Sequence, residues 1–82
     1  MSWTVTWEPS AVSTTARHLE EHPETLNEVF EASDMLAEDP KPAGSTPWGT
    51  SHRRLRVGRW RILYRIDDVN QTLHIEHDGF TA

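Results

Sequence analysis

Residues 53–67 read RRLRVGRWRILYRID, and the alternation in this run decides the fold. Leu55 and Val57 alternate with Arg54 and Arg56. Gly58 and Arg59 interrupt the pattern as a tight turn. Trp60, Ile62, Tyr64 and Ile66 then occupy one face of a second strand, and Arg61, Leu63 and Arg65 the other. A period of two with one apolar face marks a half-buried strand. Two such strands about a glycine-containing turn make a hairpin.

Downstream, Asp67 to Gln71 is a polar turn. Leu73, Ile75 and His77 then alternate with Thr72, His74 and Glu76 in a third strand. Upstream, Asp39 to Ser51 holds Pro40, Pro42, Pro47, Gly44 and Gly49, which predicts a loop. Trp48 lies inside it and is expected to plug the core, an exposed contact role being the alternative. Further upstream, Leu26, Val29, Phe30, Ser33, Leu36 and Ala37 follow helical spacing, so a helix is expected from Pro23 to about Glu38. Val12, Ala16 and Leu19 predict an earlier helix from Pro9 to about His22, with Pro9 in its first turn and Pro23 breaking it. Ser2 to Trp7 alternates as a strand, with Trp3, Val5 and Trp7 on one face.

The predicted order is thus β-α-α-β-β-β: an α+β two-layer sandwich, with an antiparallel sheet packed against a helix pair. The first strand has to pair somewhere in that sheet, because a lone strand is not stable. The expected core sets Trp3, Val5, Trp7, Trp60, Ile62, Tyr64, Leu73 and Ile75 against Val12, Leu19, Leu26, Val29, Phe30 and Leu36.

At 82 residues the chain is read as a single domain, 1–82, with a thin core. There are no cysteines, which excludes disulfides, thiolate metal sites and a cysteine nucleophile. No apolar run approaches the roughly 18 residues of a membrane span. The N-terminus lacks the basic flank and apolar stretch of a signal peptide, so a cytoplasmic protein without a membrane partner is expected. The net charge is −5, but it is unevenly distributed. Residues 1–51 carry nine acids and two bases, residues 52–66 six arginines and no acid, and residues 67–82 four acids and no base.

The arginines carry the strongest chemical signal. On the strand reading, Arg54, Arg56, Arg61 and Arg65 share the face opposite the apolar one. Like charges opposed across strands are destabilising, so such a face calls for an anionic partner. Guanidinium forks suit phosphates and carboxylates. The alternatives are a solvated face or pairing with the chain's own acids. His74, Glu76, His77 and Asp78 form a second polar cluster, but strand alternation sets His77 apart from His74 and Glu76, so no metal site and no cofactor is expected. His52 sits at the mouth of the arginine hairpin, where a general base or an ordinary loop histidine are both open readings.

With these residues assembled, RRLRVGRWRILYRID resembles the signature hairpin of the RelE/ParE superfamily, the toxins of type II toxin–antitoxin pairs. VTWEPSAV resembles the family's opening strand and Pro-initiated helix, and LAEDPKPAG its second helix end and loop. The resemblance implies a RelE-like ribosome-dependent mRNA endonuclease, neutralised by a cognate antitoxin and acting on ribosome-bound mRNA. It implies that Arg61 is the catalytic arginine that stabilises the transition-state phosphate. Arg53, Arg54, Arg56 and Arg65 are the residues it implies for binding RNA or antitoxin.

The chain departs from the family pattern in two places. Phe80 or Thr81 stands where a C-terminal arginine or histidine is expected, and the final catalytic tyrosine has no counterpart. The first helix is also acidic where relatives are lysine-rich. These departures leave the enzymatic assignment open. The alternative is a non-catalytic toxin-fold module, either a degenerate toxin or a ParE-like inhibitor of DNA gyrase.

Overall fold

The computed structural model describes residues 3–80. Ser2, at the head of the expected first strand, and Thr81 lie outside the described residues. The elements are β1 (Thr4–Trp7), α1 (Pro9–Glu21), a short 3-10 turn (Pro23–Thr25), α2 (Leu26–Glu38), β2 (Ser45–Trp48), β3 (His52–Val57), β4 (Trp60–Asp67) and β5 (Thr72–Phe80). Pro9 opens α1 where its missing N–H costs nothing. Pro23 ends that helix and starts the 3-10 turn.

The α+β, two-layer reading holds, and three details of the sheet differ from it. The sheet has five strands, in the order β1-β5-β4-β3-β2. The added strand, β2, was read as loop because of its prolines. Pro47 is tolerated there because β2 is an edge strand and pairs only with β3, so a missing donor can face solvent. The sheet is also mixed: β1 runs parallel to β5, Thr4 opposite Thr72 and Trp7 opposite Ile75, while the other pairs are antiparallel. Finally, β5 continues past His77 to Phe80, which lies opposite Trp60.

The β3–β4 hairpin follows the predicted register. Val57 faces Trp60, Arg56 faces Arg61 and Leu55 faces Ile62. Gly58 has φ +57°, the left-handed conformation that a two-residue hairpin turn requires at its first central position.

The helices cover one face of the sheet, α1 over β5 and α2 over β1 and β3. Leu55, Ile62, Tyr64, Leu73 and Ile75 are buried on that face, with Val5 and Trp7 packed beside them. Of the helix residues predicted for the core, Leu36 is buried as expected and the others are not. Ala11, Thr15, Ala32 and Leu36 are the buried helix residues, whereas Val12 is 48% exposed, Leu26 41% and Phe30 58%. Small side chains let a helix lie close on the sheet, and the flanking larger residues are turned outward. Val12, Leu19 and Val29 instead border an apolar hollow beside Trp7, Thr15 and Ala16.

Side-chain hydrogen bonds tie the helices and the loop to the sheet. The Trp7 indole donates to Ser33 Oγ at 3.2 Å. The wholly buried Tyr64 donates its hydroxyl to the Pro40 carbonyl at 2.6 Å, which pins the start of the Pro/Gly loop to the sheet. Burial pushes the Tyr64 phenol above its ordinary pKa.

A candidate phosphate-binding face

Helices cover only one side of the sheet, so the other side presents its side chains to solvent. The cross-strand pairs order this outer face into rows. Arg56, Arg61 and Gly79 form one row, Thr46, Arg54, Leu63 and His77 the next, and Trp48, His52, Arg65 and His74 a third. Successive rows are two residues apart along a strand, about 6.6–6.8 Å.

Arg56 and Arg61 are opposed directly and both are exposed. Two hollows adjoin them. One, of about 240 Å³, is lined by Gly44, Thr46, Arg54, Leu55, Arg56 and Arg61. The other, of about 180 Å³, is lined by Arg54, Arg61, Ile62, Leu63, His77 and Gly79. Arg54 and Arg61 border both, so two guanidinium groups converge on one concave strip. No atom lies within 4 Å of where a Cβ would stand at Gly79, so the space beside Arg61 is open there.

His77 reaches this face through a β-bulge. Leu63 lies opposite His77 but Tyr64 lies opposite Ile75, so Glu76 is an extra residue in β5. An extra residue resets the alternation of the strand beyond it. His77 therefore falls on the same side as Glu76, contrary to the strict alternation expected from the sequence. The same reset turns Asp78 inward, where it is only 2% exposed. Burial raises the Asp78 carboxyl above its ordinary pKa, against the lowering effect of the Thr15 hydroxyl that donates to it.

The remaining predicted residues divide. Arg65 is on the outer face, but its Nε donates to Glu76 Oε2 at 3.2 Å. His52 Nε2 donates to the other oxygen of the same carboxylate at 2.7 Å. The His52 hydrogen bond, assisted by Arg65, holds the Glu76 carboxyl below its usual range against a partial desolvation that acts the other way. His52 is therefore not a loop histidine but a residue of β3 partnered by Glu76. Arg53 points to the opposite side of β3: its guanidinium donates to Ser45 Oγ at 3.0 Å and to the Ser45 carbonyl at 3.2 Å. Arg53 thus fastens β2 to β3 and does not join the cationic strip. Phe80, placed by the resemblance at a catalytic position, packs against His18 of α1 and stacks on His22 just past the end of that helix, with the Trp60 ring edge-on to it.

Trp48 does not plug the core. It is 54% exposed, with the Arg54 guanidinium 4.7 Å from its ring centroid. Sequence reasoning also passed over His77 as a member of the site. The signal for it was a run of polar residues, Glu76-His77-Asp78, too polar for strict alternation on a sheet with one buried face.

A family model described as the ParE toxin of the type II toxin–antitoxin system, parDE, matches residues 5–78. Among solved structures, the chain is similar to one from the toxin–antitoxin complex RelBE2 of Mycobacterium tuberculosis. The two are 27% identical over 99% of this chain and 100% of that one, with a TM-score of 0.78. No curated protein sequence matches.

Proposed function

Because the chain belongs to the ParE toxin family of type II toxin–antitoxin systems, within the RelE/ParE superfamily, we propose that it is a toxin that cleaves single-stranded RNA at its outer sheet face and is silenced by an antitoxin laid over that face. The observation that carries this reading is the convergence of Arg54, Arg61 and His77 on one hollow. Two fixed guanidinium groups and an imidazole are a sufficient set for phosphodiester transesterification.

The step balances without a metal. The RNA 2′-hydroxyl oxygen attacks the adjacent phosphorus, and the bond from phosphorus to the 5′-oxygen breaks. His77 takes the proton from the 2′-hydroxyl, and the departing 5′-oxygen takes one from solvent. The products are a 2′,3′-cyclic phosphate and a 5′-hydroxyl. Negative charge grows on the phosphoryl oxygens during attack, and Arg61 meets it. Arg61 is the second residue of β4, flanked by the buried Trp60 and Ile62 and paired with Arg56 on one side and Gly79 on the other, so its backbone is held and the donor needs little reorganisation. Arg56, opposite Arg61, and Arg54 hold the flanking backbone.

A second reading has its own support, since the matching family model is that of ParE toxins. On that reading the cationic strip binds a protein target such as DNA gyrase and performs no chemistry. One experiment separates the two. The wild-type chain is expressed in a bacterial host without an antitoxin, growth is followed and mRNA ends are mapped. Arrest with new mRNA ends, both lost in Arg61→Ala, is the result expected of a nuclease. Arrest with intact mRNA moves the activity to the second reading.

A further inference from the structure

The sequence placed Trp48 in a loop and in the core, and the structure gives it neither position. It stands on the outer face of the edge strand β2, opposite His52 and one row from Arg54. More than half of it is exposed, an unusual place for a large apolar side chain on a face rich in arginine and histidine. The Arg54 guanidinium lies over the ring, 4.7 Å from its centroid. That stacking fixes the indole and makes its remaining surface a flat, rigid apolar plate. Arg54 also lines both hollows that contain Arg61. The plate is therefore joined to the phosphate strip through a single shared side chain.

A guanidinium that tracks a phosphate backbone beside an exposed aromatic ring is the arrangement by which proteins hold single-stranded nucleic acid: the cation takes the phosphate and the ring takes a base. A duplex hides its bases in the stack and cannot use such a plate. We propose that Trp48 is a base-stacking platform of the RNA site, a specificity-determining position at which one unpaired base of the substrate rests on the indole. The adjoining phosphates run across Arg54 towards Arg61. The platform lies two rows from Arg61, about 13–14 Å along the strands, so the stacked base belongs to a nucleotide outside the scissile pair. This inference rests on the RNA reading of the outer face and adds the requirement that the substrate be single-stranded and carry bases.

The test is a titration of the full chain with a 2′-O-methyl oligouridylate, which has no free 2′-hydroxyl to react. A backbone of the same length without bases serves as the comparison. Binding is read by anisotropy of the labelled oligonucleotide and by quenching of tryptophan emission. The wild-type chain should bind the oligouridylate more tightly than the abasic strand and show quenching only with the former. Trp48→Ala should weaken oligouridylate binding about 5- to 150-fold, the worth of one base–aromatic stack. It should leave abasic binding unchanged, and Trp48→Phe should restore most of the loss. Equal binding of both strands by wild type, or an oligouridylate affinity unmoved by Trp48→Ala, overturns the platform and leaves the RNA reading standing. A wild-type chain that binds neither strand overturns both and makes Trp48 a protein contact.

Discussion

Thr15 of α1 donates its hydroxyl to Asp78 Oδ2 of β5, and both residues are buried. The contact exists because the bulge at Glu76 turns Asp78 from the solvent face to the helix face. The carboxyl's other oxygen, Oδ1, has no hydrogen-bond partner. A half-satisfied carboxyl in a thin core is a weak point, and its folded pKa is raised, chiefly by burial.

The sign of the pH effect follows. Below the ordinary Asp pKa, Asp78 is protonated in both folded and unfolded states and costs nothing extra. As pH rises from there through the raised folded value, the unfolded chain releases its proton first and stability falls. Asp78→Asn removes this dependence and should stabilise the chain by about 1–2 kcal/mol at neutral pH, with little effect in acid. Thr15→Val should cost about 1–3 kcal/mol at neutral pH, because it strands the buried carboxylate. Thermal unfolding of the three chains at pH 4 and pH 7 checks both signs.

His77 supplies the proton acceptor in the proposed cleavage. His77→Gln keeps the size and the polar character but cannot take the proton. It should lower the single-turnover cleavage rate by about 10²–10⁴-fold while leaving RNA affinity within about twofold of wild type. Arg61→Ala should lower the rate by about 10²–10³-fold, without unfolding, since Arg61 is exposed. A His77→Gln chain that cleaves at the wild-type rate would remove the residue from the mechanism.

Charge reversal tests the antitoxin surface. Arg54→Glu combined with Arg56→Glu should weaken binding of an acidic antitoxin segment by several kcal/mol, because attraction becomes repulsion across a desolvated contact. Arg17→Glu, on exposed helix surface, should change it little. Calorimetric titration of the purified partner into each chain measures the difference.

Glu76 accepts hydrogen bonds from His52 Nε2 and Arg65 Nε. Its folded pKa is lowered, so the stability it gives is present above the ordinary Glu pKa and is lost as pH falls through the folded value. The group is about a third exposed, and solvent screening keeps that contribution under about 1 kcal/mol. Glu76→Gln should therefore barely change the melting temperature at pH 7. It frees the guanidinium, so the salt dependence of single-strand binding should steepen by about 0.7 in log–log slope for the one phosphate contact added.

The hairpin was legible because its alternation is strict: Leu55, Val57, Trp60, Ile62 and Tyr64 all went inward as their spacing required. Arg54, Arg56 and Arg61 followed on the other face for the same reason. The helix faces were less legible. Spacing alone favoured Val12 and Phe30 over Ala11 and Ala32, but at those two positions the helices lie too close to the sheet for a large side chain, and that closeness is a tertiary quantity. β2 was hidden because proline density reads as loop unless an edge position is known. His77 was hidden because one extra residue reverses the parity of everything after it, and no single-strand pattern announces which residue is extra. Trp48 was assigned by the average habit of tryptophan, which its edge position and its contact with Arg54 override.

The parallel pairing of Thr4 with Thr72 also sets the order of assembly. β1 neighbours only β5 in the sheet, so Trp3, Val5 and Trp7 wait for all of the intervening chain before their strand is paired. β5 lies between β1 and β4 in the sheet and also carries His77. A nascent or truncated chain lacking it has neither a closed core nor the third member of the proposed catalytic set. Closure of the core and assembly of the proposed catalytic set thus depend on the same strand.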